Sequence, residues 1–286
     1  MGSISPPLSS GLYLVATPIG TASDITIRAL DILANADVLA AEDTRQARKL
    51  MDIHGVKLNG RPLLPYHDHN GAGMRPRLID AARDGKSVAY VSDAGTPLIA
   101  DPGFALARDF IAAELPVTAA PGASAVLTAL SVAGLPTDRF LFAGFAPTKT
   151  NARLAFFNEF RAVPATLVFY ENPKRLAACF GAMVEVFGGN RPAAMCRELT
   201  KKFEEIRRGT LAELAEYYAD VPAPKGEAVV VLGPPEKTVI SEDDIDAALR
   251  AALVDGSVKE AAGEVAEMFN LSRKPLYKRA VELSHE

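Results

Sequence analysis

The sequence has no Trp, two Cys, four His and only 7% aromatic residues. Cys179 and Cys196 each stand alone in an apolar stretch. Two isolated thiols exclude a disulfide-built scaffold and read as reduced, buried residues of a cytoplasmic protein. No run of eighteen apolar residues occurs, so no segment is predicted to span a membrane. Residues 1–11 are rich in Ser, Pro and Gly and are predicted to form a disordered tail. They lack the charged start and apolar run of a signal peptide, and Pro6 stands where a myristoylation start needs Ser or Thr. Also missing are the three-glycine dinucleotide turn, the Walker lysine and the Gly-x-Ser-x-Gly elbow. Nor is there strong charge of either sign. The 31 Lys and Arg against 35 Asp and Glu leave a net −4, which disfavours a nucleic-acid partner at first sight.

What is present is the composition of a folded globular protein: 286 residues, 49% apolar and 23% charged, enough for about two domains with a sizeable core. From Leu12 onward, short apolar runs alternate with helical spacing. Leu12–Ala16, Val38–Ala41, Ser87–Val91 and Leu115–Ala120 read as strands, and 24–35 and 123–133 as helices. The pattern predicts the α/β class, with helices around a largely buried sheet. Gly134-Leu135-Pro136-Thr137-Asp138 punctuates the chain, which places an N-terminal α/β domain at 12–135. A second α/β domain follows at 136–233, with strands at 140–145, 166–170, 193–197, 203–208 and 227–232 whose less regular order suggests a mixed sheet. After the Gly233-Pro234-Pro235 linker, residues 234–286 read as three short helices near 242–253, 258–269 and 273–283.

In open α/β sheets, ligands sit at the carboxyl ends of strands, and unusual loops stand there in this chain. Thr17–Asp24 follows the first strand and could be a ligand loop or an ordinary capped turn. Ala41-Glu42-Asp43-Thr44-Arg45 follows the second; its carboxylates serve either a ligand or a helix cap. Ser92–Gly103 sets two Asp, two Gly and two Pro into twelve residues, where Gly admits close backbone approach and Pro stiffens. Pro121–Ala125 brings small side chains and backbone N–H groups to a helix start, suited to an adenosine or a carboxylate. His67-Asp68-His69-Asn70 suggests a metal, but no Cys and no third His completes a zinc set, so it reads as a polar loop or a substrate contact, with no metal expected.

These stretches, with Asp24-Ile25-Thr26, Tyr66–Asn70, Pro121–Leu135, Phe169-Tyr170-Glu171, Arg197–Glu205 and Lys225-Gly226-Glu227, resemble the ribosomal RNA small subunit methyltransferase I family of the tetrapyrrole-methylase superfamily. The resemblance runs from about Leu12 to Leu232 and the tail also fits. It implies a two-domain fold with S-adenosylmethionine held in the cleft between domains. It implies 2′-O-methylation of a cytidine ribose in the decoding region of 16S rRNA within the 30S subunit, and a homodimer. It implies cofactor contacts from Pro18, Asp93, Ala94, Gly95, Thr96, Ser124, Ala125, Phe169, Tyr170, Leu199 and Gly226. The chain departs from the family pattern at Thr21-Ala22, where Asn-Leu is usual, at Asn172 and Lys174, where Ser and His are usual, and at Gly71, where Glu is usual.

A ribose hydroxyl is a poor nucleophile, so a base or a nearby cation should assist its methylation. Asp24, Glu42, Asp43, His67 and Asp68 could accept the proton, and Lys201 or Arg45 could steady a developing alkoxide or grip a phosphate. His67, Asp68 and Lys201 are taken as the catalytic candidates; Asp24, Glu42, Arg45, His69, Lys202, Arg273 and Lys274 as substrate contacts. The last two begin a helix that, with its predecessor, resembles a helix-turn-helix that would dock RNA or pack as a plain hairpin. A tetrapyrrole methyltransferase and a nucleic-acid-binding regulator are the alternatives. The net −4 also hides a local excess: residues 139–208 hold twelve Lys and Arg against six Asp and Glu. RNA binding follows local potential, so an RNA partner stays compatible with the mild acidity.

Overall fold

A computed structural model describes residues 7–67, 70–236, 241–269 and 271–284. The described residues fall into two compact units, divided between Pro235 and Glu236.

The first unit opens with β1 (Gly11–Val15), α1 (Ile27–Asn35), β2 (Val38–Ala41), α2 (Thr44–Ile53) and β3 (Leu63–Pro65). It continues through α3 (Gly71–Arg83), β4 (Ser87–Val91), α4 (Phe104–Ala112), β5 (Val117–Ala120) and α5 (Ala125–Ala133). The five strands form one parallel sheet in the order β3-β2-β4-β1-β5. Every residue of β2 and β4 is buried, which is why these strands read as unbroken apolar runs. Helices cover both faces. Leu106 and Phe110 of α4 pack with Leu12, Val88 and Tyr90 on one side, and Ile32 and Leu33 of α1 with Val15, Leu39 and Val91 on the other. Local chemistry sets the helix starts: Thr26 accepts the Ala29 N–H, and Asp43 accepts the Arg45 N–H.

The tail expected through Gly11 requires correction at its end. Gly11 begins β1, the Ser10 hydroxyl donates to the Ala82 carbonyl, and Leu8 packs against the α1 core. Residues 1–6 of that tail lie outside the described residues.

The second sheet is mixed, in the order β6-β7-β10-β8-β9. Its elements are β6 (Phe140–Phe145), α6 (Thr150–Glu159), β7 (Thr166–Glu171), α7 (Leu176–Phe187), β8 (Pro192–Arg197), β9 (Glu205–Thr210), α8 (Leu211–Asp220) and β10 (Ala228–Leu232). Strand alternation divides its side chains between two faces. Leu167, Phe169, Met195 and Val230 meet Phe157 of α6, Phe180 and Met183 of α7 and Leu214 of α8. Val168, Tyr170, Cys196 and Val229 face the other way, onto Val126, Ala129 and Leu130 of α5 and Ile19 of the first sheet's β1 loop. Helix α5 thereby joins the two sheets. Gly134 ends it in the left-handed conformation (φ 74°) that few other residues adopt.

The second unit has its own core. α9 (Glu242–Leu253), α10 (Val258–Phe269) and α11 (Arg273–Leu283) bury Leu249, Ala262, Val265, Leu276, Ala280 and Leu283 together.

Candidate active-site cleft

Because β1, β2, β4 and β5 run parallel, their carboxyl ends open along one edge of the sheet, and the following loops meet there. Hydrogen bonds tie them. Thr17 and Gly95 exchange backbone bonds of 2.9 and 3.0 Å, the Thr17 hydroxyl donates to the Ser92 carbonyl, and the Thr96 hydroxyl donates to the Ala123 carbonyl. At Gly122 an added Cβ would sit 2.9 Å from the Ala16 Cβ, so the loop after β5 lies against the end of β1 because no side chain intervenes.

The second sheet closes the opposite side. Its carboxyl end of β7 and the turn before β10 face these loops across a cleft of about 400 Å3. A bulge between Phe142 and Gly144 shifts the register of β6, so Phe142 and Phe145 both flank the Tyr170 ring, at 4.8 and 5.4 Å between centroids. The loop carrying Glu198 and Thr200, both left-handed (φ 51° and 64°), ties back to the first sheet. The Thr21 N–H donates to Thr200 Oγ1 and the Thr21 hydroxyl to the Thr200 carbonyl. That contact gives Thr21, a departure from the family pattern, a structural use.

The structure brings most of the expected cofactor residues together. Asp93, Ala94, Gly95, Thr96, Ser124, Ala125, Tyr170 and Gly226 line the cleft, as does Glu42 of the expected substrate set. Pro18 precedes Ile19, the residue of that loop that lines the wall. Leu199 is buried beside it, in a small recess with Lys201 and Glu227. Phe169 is turned away from the cleft: alternation along β7 puts it into the core on the far face and gives the cleft Tyr170. Sequence reasoning assigned no role to Asp101, Glu171, Glu227 or Phe145, which also line the cleft. Asp101 lay within the conspicuous Ser92–Gly103 stretch as one of its two counted Asp, but nothing in the sequence shows that it faces the cleft.

Carboxylates dominate the electrostatics. Asp93 accepts the Asp43 N–H and the Gln46 amide, and Asp43 itself clamps Arg45, whose hydrogen bonds hold its carboxyl down at about 2. Glu171 is fully buried and paired with Arg175. Asp101 is pushed up to about 6, first by burial and then by the charge of Glu42, with Asp93 and Glu227 adding to it. The Tyr170 hydroxyl is pushed up to about 12, first by burial and then by Asp101 and Glu227. Lys201 bridges Glu198 at 3.0 Å and Glu227 at 2.8 Å; burial lowers its pKa, but those bonds outweigh it and the net shift is upward.

The remaining candidates lie elsewhere. Asp24 is exposed at the end of a short 3-10 turn, and Arg45 is exposed apart from its Asp43 clamp. His67 is not among the lining residues; its N–H donates to Asn70 Oδ1 at the entry to α3. Asp68 and His69 lie outside the described residues. Lys202 is exposed and sits over the Phe203 ring. In the second unit Arg273 donates to the Lys259 carbonyl, whereas Lys274 is exposed.

The basic excess of residues 139–208 is largely spent inside the fold. Arg153, Arg191 and Arg208 donate to carbonyls, while Arg175, Arg197 and Lys201 pair with carboxylates. Arg139, Lys149, Arg161, Lys174 and Lys202 are exposed and outside any ion pair among the described residues.

Residues 11–215 match the model of the Tetrapyrrole (Corrin/Porphyrin) Methylases, and residues 239–284 match the RsmI C-terminal HTH domain. The chain is 50% identical over 277 residues to Ribosomal RNA small subunit methyltransferase I of Mesorhizobium japonicum, covering 97% of this chain and 93% of that one. It is 42% identical to the protein of that name from Pseudomonas aeruginosa, covering 96% of this chain and 98% of that one. A uroporphyrin-III C-methyltransferase from Thermus thermophilus, solved with S-adenosylhomocysteine, shares the fold at a TM-score of 0.53 and 21% identity, covering 78% of this chain and 97% of that one. With a family model over most of its length and full-length relatives at this identity, the chain belongs to the tetrapyrrole methylases and, within them, to the ribosomal RNA small subunit methyltransferase I family.

Proposed function

We propose that this protein transfers the methyl group of S-adenosylmethionine to the 2′-oxygen of a cytidine ribose in the decoding region of 16S rRNA, at cytidine 1402, within the 30S subunit. The observation that carries this reading is the cleft itself, where the loops of a parallel sheet converge on the open end of a second sheet.

The residues suit the cofactor. The cleft volume of about 400 Å3 falls in the ordinary range for small-molecule sites. Ile19, Ala125, Val229 and Tyr170 offer apolar contact for an adenine. Glu42, Asp93 and Glu227 offer the negative field that a sulfonium and an ammonium favour. Ser124 makes no side-chain cap, so the first N–H groups of α5 remain for a ring nitrogen or a carboxylate oxygen. When bound, the cofactor supplies an activated methyl group. The protein's part is to hold the ribose oxygen in line with it and to exclude water, a positioning effect that contributes several powers of ten in rate.

For the RNA, exposed Lys202, Arg139, Lys149, Arg161 and Lys174 of the first unit and Lys274 and Lys278 of the second are the cations offered to phosphates. Exposed Ile27, Phe104, Ile111 and Leu127 are apolar surface of the kind a homodimer would cover. The test is transfer of labelled methyl to isolated 30S subunits, free rRNA and a porphyrin precursor, with nucleoside mass spectrometry. The expected product is 2′-O-methylcytidine from the subunits. Label in the porphyrin alone would overturn the reading.

A further inference from the structure

Methylating a hydroxyl requires that its proton go somewhere, and four of the candidates drawn from sequence are poorly placed to accept it. Asp24 is exposed outside the cleft, Asp43 is committed to Arg45 and the start of α2, His67 lies off the cleft wall, and Lys201 is already protonated between two carboxylates. Among the carboxylates that line the cleft, most are occupied. Asp93 fills both oxygens with Asp43 and Gln46; Glu171 holds Arg175 and the Asn172 N–H; Glu227 holds Lys201.

Asp101 differs in backbone and in surroundings. Its loop carries two non-glycine residues in the left-handed region, Leu98 (φ 73°) and Ala100 (φ 59°), a conformation that costs energy and persists where the surroundings enforce it. The enforcement is visible. The buried Tyr90 hydroxyl donates to the Pro102 carbonyl at 2.9 Å, and Gly103 (φ 119°) lies so near the Tyr90 ring that an added Cβ would come within 2.6 Å. The clamp fixes Asp101 on the cleft wall, where Glu42 from the loop after β2, Asp93 and the Ser92 hydroxyl from the loop after β4, Tyr170 of β7 and Glu227 before β10 surround it.

We propose that Asp101 is the general base of the reaction, held against the cleft by the Tyr90 clamp to take the proton of the ribose 2′-hydroxyl. In that step Asp101 accepts the proton, the freed oxygen pair forms the bond to the methyl carbon, and the carbon–sulfur bond breaks with its electrons kept by sulfur. Asp101 then returns the proton to water. Its position near 6 suits the role, since such a group is ionised at neutral pH yet basic enough to draw a proton. The assignment rests on the 2′-O-methylation reading above.

The test uses the full chain with 30S subunits and compares wild type, Asp101→Asn, Asp101→Glu and Glu42→Gln from pH 5 to 9. Asp101→Asn is expected to lower kcat by about 10²–10⁴-fold and to abolish the rise in rate through pH 6. The Kd for S-adenosylhomocysteine by calorimetry should stay within about twofold. Asp101→Glu should recover part of the rate, and Glu42→Gln should move the rise to lower pH by removing a charge that raises Asp101. Carbon-13 NMR should find an aspartate titrating near 6 that Asp101→Asn removes. Wild-type kcat with an unchanged pH profile in Asp101→Asn overturns the assignment alone. A wild-type enzyme that yields no 2′-O-methylcytidine overturns the reading beneath it as well.

Discussion

Asp101 holds its proton to about pH 6, whereas an unfolded aspartate loses it near 3.9. Between roughly pH 4 and 6 the unfolded chain has released this proton and the native chain has not, so rising pH withdraws stability from the native state across that window. A shift of this size, reduced for solvent screening, amounts to about 1–2 kcal/mol. Asp101→Asn should therefore stabilise the protein by about 1–2 kcal/mol at pH 8 and by much less at pH 4, read from urea unfolding at the two pH values. An aspartate kept where it weakens the fold is the signature of a site maintained for chemistry. At this scale the sequence was legible in part. The loops that build the cleft were visible as clusters of Gly, Pro and Asp. The choice between Phe169 and Tyr170 was not, because it depends on which face of β7 meets α5. Nor could spacing show that Lys201 is consumed by Glu198 and Glu227, or that most of the arginines of residues 139–208 serve the fold.

A capping box starts the last helix of the second sheet. Thr210 ends β9 and caps α8: its side chain accepts the Glu213 N–H, while Glu213 reaches back to the Thr210 N–H at 2.7 Å. Leu211, Leu214 and Tyr218 of that helix pack into the core, where the Tyr218 ring stacks on Phe180 of α7 at 5.4 Å. Thr210→Ala should cost about 1 kcal/mol, lowering the urea midpoint without altering the slope, since the surface buried is unchanged. Elements with a strong pattern matched their expected bounds: Val38–Ala41, Ser87–Val91 and Phe140–Phe145 are strands as read. Two of the unassigned elements had physical reasons to be missed. β3 is a three-residue strand that includes Pro65, and α3 contains Pro76 and two glycines, so neither carries the residues that favour its conformation.

The three C-terminal helices have few buried apolar side chains, and a core of that size leaves a unit of about fifty residues only marginally stable. Its ties are local. Arg279 pairs with Asp246 and Glu282, Arg273 donates to the Lys259 carbonyl, and Ser241 forms a capping box with Asp244 at the start of α9. These contacts engage two of the four basic residues of α11 in holding the helices together and leave Lys274 and Lys278, beside half-exposed Tyr277, for an external partner. Leu249 is fully buried at the centre of this core. Replacing it with Ala should cost about 2–4 kcal/mol, enough to unfold the unit in the intact chain. Calorimetry should then lose the transition of the C-terminal unit while the larger transition stays in place. Affinity for S-adenosylhomocysteine should also stay, because every residue lining the cleft belongs to the first unit. If the unit docks RNA, affinity for the 30S subunit should fall in the same variant. Lys274→Ala with Lys278→Ala should flatten the salt dependence by about two charges without unfolding anything. Unchanged 30S affinity in both variants would reduce the helices to a structural appendage and leave RNA recognition to the first unit.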